Sequence, residues 1–492
     1  MVFWRVKPLD KILETAEKKS LVRQLGPIQL TLLGIGAVIG TGIFVLTAEA
    51  GQKAGPGMMV AFVIAAIVCA LAALAYAELA AMVPVSGSAY TYSYGVFGEF
   101  IAWIVGWALG LEYGIGAATV CVGWSGYVNG LLKANGLALP QFLQAGPMSG
   151  GSFNLLAFLI AFVVTVLLVI GTSKSAKVNA VLVAIKIVAL TMFIAITVPG
   201  ANSANFEPFM PTGWGGPSGG VGVLGAAASI FFAYVGFDAV STAAEETKNP
   251  NRNIPIGLIA SLGICTIFYL LVGYGAVGAV GAQPVLDAAG HAIDPSSPEM
   301  AAACANSQAL VCSKEPLAHV LRQIGFPSLG YWIGVAAGLA LPSVILMMMF
   351  GQTRIFFTMS RDGLLPEPLS RVHPKFHTPH VITIITGIVV AICAALLPVG
   401  RLADTSNSGT LLAFAMVSIG VLVLRKSQPD RARPFRTPLA WIVCPLAAIG
   451  CVVLFYNLSP FAKEFFIGWA LVGLVVYGLY GYKRSQLANG KA

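Results

Sequence analysis

The chain has 492 residues, of which 57% are hydrophobic and only 10% charged, with a formal net charge of +9. Soluble proteins carry roughly 25% charged residues, so this chain cannot cover a water-facing surface, which excludes a cytosolic enzyme, a secreted disulfide scaffold and a disordered polypeptide. At about 20 apolar residues per transmembrane helix, the sequence predicts an all-α integral membrane protein of roughly a dozen spans.

Residues 1–26 are largely polar and read as a cytoplasmic amphipathic arm (Arg5, Lys7, Lys11, Lys18, Lys19, Arg23), with no cleavable signal peptide ahead of the first apolar run. Apolar runs then predict twelve helices near 27–49, 57–82, 98–128, 153–171, 178–198, 221–245, 255–280, 328–353, 379–398, 405–425, 438–457 and 464–482. The first five occupy 27–198, the next five 199–425 with an external loop at 281–327, and the last two with the C-terminus 426–492. With both termini inside, cytoplasmic segments hold 22 of the 29 Lys and Arg. The outer loops hold Lys53, Lys133, Lys314, Arg322, Arg401 and Lys463, and Lys186 falls within a span. That bias supports the twelve-span topology and removes the positive charge as a sign of nucleic-acid binding. Cys304 and Cys312 share the longest external loop, where an oxidising exterior allows them to pair; two free thiols are the alternative.

Two spans break the bilayer's rules in the same way. Residues 34–44 place Gly34, Gly36, Gly40 and Gly42 within nine positions, each costing about 1 kcal/mol of helix propensity against Ala. Residues 231–238 set Gly236 and Asp238 into an apolar run. The 200-residue spacing of Gly36 and Gly236 fits two five-helix repeats that each open with a broken helix, the pattern of secondary transporters. Helix packing through Gly36-xxx-Gly40 is the plainer alternative. A dinucleotide fingerprint lacks the strand–turn–helix context it needs.

Glu112, Lys186 and Asp238 are the charges well inside spans, each costing at least about 2.5 kcal/mol at a helix centre. A desolvated lysine near carboxylates suits proton coupling, and a static ion pair is the competing reading. Glu49, Glu78 and Glu245 lie nearer span ends and read as water-facing or capping. The five histidines sit in loops or at span ends, and no nucleophile elbow, zinc-protease or Walker pattern occurs, so no metal, cofactor or catalytic site is expected. Met347 and Met348 read as core or as pocket lining.

These motifs, GIGAVIGTGIF (34–44), VPVSGSAYTYSY (83–94), EYG (112–114), SAKVNAVLVAIKI (175–187), FFAYVGFDAVSTAAEE (231–246), GQTRIFFTMSRDGLLP (351–366) and GVLVLRKSQPD (420–430), are spread along nearly the whole chain. They resemble the amino acid–polyamine–organocation superfamily, within it the bacterial homologues of cationic amino acid transporters. The resemblance implies a five-plus-five inverted-repeat, LeuT-like fold with discontinuous helices 1 and 6, in a bacterial cytoplasmic membrane. It also implies that the backbone at Val38, Ile39, Gly40, Thr41, Gly42 and Ile43 takes an amino acid's carboxylate. Carbonyls of Phe231, Ala233 and Val235, with Phe232, would take the ammonium. Lys186 stands where sodium-coupled relatives hold an ion, implying H⁺ coupling. Thr41, Glu112 and Asp238 would partner it or the substrate amine, and Phe231 and Tyr234 would gate. The sequence departs from the family in the length of loop 281–327 and in Ser408, which replaces an apolar residue. Small neutral L-amino acids are the expected substrates, with cationic ones resting on Glu112. Uniport or exchange, and a transporter-fold sensor, remain open, as does a small accessory membrane subunit.

Overall fold

The first apolar run begins on Pro27, whose missing N–H costs nothing in a first helical turn, and forms α1 (Pro27–Val38). It stops at Ile39, which is extended (φ −71°, ψ 95°), and at Gly40. Beyond them α2 (Thr41–Phe44) and, after a kink at Val45, α3 (Leu46–Ala54) complete the run. The structure, a computed structural model, describes residues 5–10, 25–85, 88–171, 176–216, 219–305 and 307–487. Lys11, Lys18, Lys19 and Arg23 of the predicted arm, and the side chain of Glu245, lie outside the described residues.

α4 (Met58–Met82), the short α5 (Ser88–Val96) and α6 (Glu99–Ala134) follow. At 36 residues, α6 is roughly 54 Å long for a rise of 1.5 Å per residue. α7 (Leu155–Ile170) and α8 (Ala176–Thr197) lead to a second interrupted run. There α9 (Gly222–Ile230) passes into a 3-10 turn, Phe231–Tyr234, then extended Val235, before α10 (Ala239–Thr242). Gly236 has φ +113°, a region that a side chain would strain, and a Cβ there would approach Ala37 O to 3.0 Å. α11 (Pro250–Val280) is next; the 281–327 segment contains α12 (Pro298–Ala303) and α13 (Pro316–Gln323). α14 (Pro327–Arg361), α15 (His380–Leu396), α16 (Val399–Ser427), α17 (Ala440–Tyr456), α18 (Pro460–Val476) and the terminal α19 (Tyr482–Arg484) complete the chain.

Among the described residues seven helical stretches are long and apolar enough to cross a membrane, and five shorter apolar helices accompany them. α14 and α16 pack along α6, α11 against α1 and α4, and α15 against α7. The apolar windows of α6 and α16 are each 72% buried, against 17% for the stretch 460–484, which separates a central post from a peripheral helix. Trp441, Ile449, Val452, Leu471 and Val475 on the outer helices are exposed, a surface that suits lipid and not water. In the external segment Cys304 and Cys312 form a disulfide with Cα atoms 5.2 Å apart. Burial raises the Glu315 carboxyl there, opposed by Arg322, whose guanidinium is 2.5 Å away.

Glu78 does not face water as its place near a span end suggests; it is 1% exposed. Arg425 binds both its oxygens, at 3.0 and 2.6 Å, the Thr437 amide donates at 2.7 Å and Arg433 lies 3.4 Å away. The carboxylate thus ties the end of α4 to the end of α16 and to the segment before α17. Removing one partner of a buried ion pair leaves the other uncompensated, at about 3–5 kcal/mol. Glu78→Ala is therefore expected to lower the melting temperature of the purified protein clearly, whereas Lys133→Ala, at an exposed position near the end of α6, is expected to leave it within error.

Candidate functional site

The two interruptions face each other inside the bundle. Gly42 lies directly on Ala233: a Cβ at Gly42 would run into the Cα and Cβ of Ala233, so only glycine permits this approach. On one side the first turn of α2 leaves the N–H groups from Gly40 to Ile43 without intrahelical acceptors among the described residues. On the other, α1 ends in carbonyls and the 3-10 turn offers those of Phe231 to Val235. The positive end of one helix and the negative end of another meet here away from solvent, since Val38, Ile39, Thr41, Ile43, Phe231, Phe232, Ala233 and Val235 are all at most 3% exposed.

Lys186, fully buried on α8, donates to Gly36 O at 2.8 Å, in the last turn of α1. Among the described residues no carboxylate lies within 4.0 Å of its Nζ. Glu112 and Asp238, expected with Thr41 to partner the lysine or the substrate amine, do not reach it here; its partner is a carbonyl of the last turn of α1. The carboxylates gather elsewhere. Tyr113 donates to Asp238 Oδ2 at 2.6 Å, and Glu112, one residue before it on α6, is 1% exposed. Neither Glu112 oxygen has a partner within hydrogen-bond distance among the described residues. Thr410, whose hydroxyl turns to Ser406 O at 3.3 Å, is close enough to act on it.

Thr41 packs against Gly123 of α6, and its hydroxyl has no partner among the described residues. Eleven positions separate Gly123 from Glu112, roughly 16 Å along a helix, so Thr41 and Glu112 mark different levels of the interior. Met348 seats its sulfur against Gly116, beside Ser406, while Met347 is half-buried on another face. Phe231 packs on Phe414 with ring centroids 5.9 Å apart. Tyr234 donates to Phe62 O in α4 at 3.2 Å, with its ring 5.3 Å from that of Tyr269.

Two residues at the breaks are absent from the sequence reading. The Tyr269 hydroxyl on α11 lies 2.8 Å from both Val38 O and Ala233 O, one proton shared between the two interruptions. Its only signal is a polar tip inside an apolar run. Asn407 on α16 donates to Ala228 O at 2.7 Å and Ser229 O at 3.1 Å, covering the end of α9.

A lipid-faced helical bundle with two facing helix interruptions is the arrangement expected of a membrane transporter. Residues 25–477 match the profile described as amino acid permease, and the chain belongs to that family. It is 44% identical over 490 residues to the branched-chain amino acid permease of Bacillus subtilis (strain 168), covering 99% of each chain. To the methylthioribose transporter of the same organism it is 39% identical over 487 residues, covering 98% of this chain and 99% of that one. To cationic amino acid transporter 4 of Homo sapiens it is 33% identical over 441 residues, 86% of this chain and 63% of the relative.

Tyr269→Phe keeps the ring and removes the hydroxyl that serves two buried carbonyls. Leaving such a group unsatisfied costs about 1–3 kcal/mol. The variant is expected to melt at a lower temperature than the parent in a thermal-shift assay, with a larger drop than Tyr274→Phe, whose ring is 42% exposed.

Proposed function

We propose that the protein carries L-amino acids across a bacterial cytoplasmic membrane by alternating access, driven by protons and independent of sodium. The supporting observation is the apposition of the two interruptions, with amide donors on one side and carbonyl acceptors on the other. In this reading the seven long and five shorter apolar helices are twelve spans with both termini cytoplasmic. Their first ten form two inverted five-helix repeats. A zwitterion matches the gap: its carboxylate meets the amides of Gly40, Thr41, Gly42 and Ile43 at the positive end of α2, near Val38 and Ile39. Its ammonium meets the carbonyls of Phe231, Ala233 and Val235, beside Phe232.

Lys186 carries the coupling. As a cation it holds the negative end of α1 through Gly36 O; as a neutral amine it loses that attraction, and α1 is free to tilt inward. Thr41, Glu112 and Asp238 complete the polar path that serves the proton and the substrate amine. Phe231 closes over the substrate against Phe414, and Met348 faces its side chain. Those apolar walls suit neutral side chains from alanine to the branched aliphatics, which agrees with the name of the branched-chain permease relative. A second reading, cationic substrates, is favoured by one observation, the buried Glu112 carboxylate with neither oxygen bonded at hydrogen-bond distance among the described residues.

Uptake of labelled L-leucine, L-alanine and L-arginine into proteoliposomes tests both. In sodium-free buffer an inward proton gradient is expected to drive accumulation, and Lys186→Ala to abolish it while leaving the protein folded. Accumulation indifferent to the gradient and to Lys186 would make the protein a uniporter or exchanger, and substrate binding without any uptake would make it a sensor. A hydrogen bond to a charged group is worth about 1.5–3 kcal/mol. If Glu112 recognises a cationic side chain, Glu112→Gln lowers arginine uptake at least tenfold relative to leucine; equal losses for both assign Glu112 to coupling.

A further inference from the structure

Beyond the breaks, buried charges satisfy one another. Lys53 Nζ stands 3.1 Å from Asp404 Oδ2 and 3.8 Å from Glu49 Oε1, all three residues buried. Lys53 is thus no loop lysine, and Glu49 does not face water, contrary to their places in the sequence. The start of α11 is different. Arg252, in its first turn, is exposed and makes no hydrogen bond or ion pair among the described residues. The same holds for Arg436, whereas Arg425 and Arg433 bind Glu78 and Arg431 binds Asp10.

Arg252 lines an open groove of about 660 Å³, within the range of about 300–1,000 Å³ that holds small organic groups. One wall is a face of α11 with Pro255, Ile256 and Ile259; the other is Pro434 and Phe435, the residues just before Arg436. The second wall is anchored, because Arg433 and Thr437 on either side of it are held by Glu78. Ile256 and Ile259 are exposed, and the same side of α11 continues through the exposed Ile267 and Leu271. The groove therefore opens onto an apolar stripe that suits the bilayer's hydrocarbon, with its free cation at the rim.

A backbone group adds to the polar end. Pro255 lies inside α11 and has no N–H, so Asn251 O, in a residue that also lines the groove, lacks its helical donor. The groove offers a cation, a carbonyl acceptor and an apolar channel. These complement a phosphodiester, a hydroxyl-bearing headgroup and an acyl chain. A choline headgroup would set a second cation beside Arg252 and has no hydroxyl to donate. A free phosphate compound would leave the apolar walls uncovered.

We propose that this groove, remote from the breaks, binds one anionic phospholipid of the phosphatidylglycerol type. Its phosphodiester meets Arg252, a glycerol hydroxyl donates to Asn251 O, and one acyl chain lies along Pro255, Ile256 and Ile259 against Phe435. Basic residues at a membrane surface attract anionic lipid in general; the two walls make this a site for a single molecule.

The test uses the whole protein in phosphatidylcholine nanodiscs. They are doped with phosphatidylglycerol, or with matched phosphatidylcholine, carrying a diazirine on one acyl chain. After irradiation, peptide mass spectrometry locates the cross-links. Phosphatidylglycerol is expected to label residues 255–260 and 434–435 at least about tenfold more than phosphatidylcholine, as one hydrogen bond between charged groups implies. Arg252→Gln is expected to bring that labelling down to the phosphatidylcholine level, and Arg252→Lys to keep most of it. Ile259→Trp fills the groove without touching the charge and is expected to remove the labelling of 434–435. Arg252 and Ile259 are both exposed, so neither change disturbs the packed interior. Arg371→Gln, at an exposed arginine outside the groove, is expected to change nothing. Equal labelling by the two probes in the parent would overturn the site. So would a phosphatidylglycerol preference that survives both Arg252→Gln and Ile259→Trp, or an equal loss in Arg371→Gln.

Discussion

Inside a bilayer every backbone N–H and C=O needs a partner, because the hydrocarbon offers none. Most of this protein meets that demand with uninterrupted helices. The two runs at 34–44 and 231–238 do not, and much of the interior is arranged around the consequences. Lys186 takes Gly36 O, Tyr269 takes Val38 O and Ala233 O, and Asn407 takes Ala228 O and Ser229 O. Three different helices, α8, α11 and α16, thus supply side chains to carbonyls that a regular helix would have kept for itself. The close approach of Gly42 to Ala233 is possible because glycine carries no Cβ.

The same arrangement separates the interior into levels. The backbone groups of the breaks occupy one. Glu112, Asp238 and Tyr113 lie at another, along α6 from Thr41 and Gly123. Lys53, Asp404, Ser229 and Glu49 form a third, where α3 and α9 meet α16. Each level joins a half-helix beside a break to a continuous helix. In the proposed transport cycle, rocking the halves against α6 and α16 would change all three together.

The glycine-dense run at 34–44 and the polar interruption at 231–238 were legible in the sequence because helix propensity and hydropathy are local properties. So was the class of protein, since composition alone excludes a water-soluble surface. Partnerships were not. Lys186 was visible as a buried charge, but a carbonyl 150 positions away has no sequence signature, and neighbouring carboxylates were the natural guess. Lys53 looked like an outer-loop residue, and its partner Asp404 lies 351 positions away. Glu78 was misread for the same reason, its arginine partner lying 347 positions on. Tyr269 hid within an apolar run because one hydroxyl does not disturb hydropathy. Hydrophobic patterning reports which segments are buried; it carries no record of which segments meet.

The account turns on where a zwitterion sits. Cryo-electron microscopy of the protein in lipid nanodiscs with saturating L-leucine tests it most directly. The expected density lies between the two breaks, with the carboxylate within hydrogen-bond reach of the amides from Gly40 to Ile43 and the ammonium on the carbonyls of Phe231, Ala233 and Val235. Leucine density confined to the level of Glu112 and Asp238, with the backbone gap closed on itself as Gly42 now packs on Ala233, would contradict it.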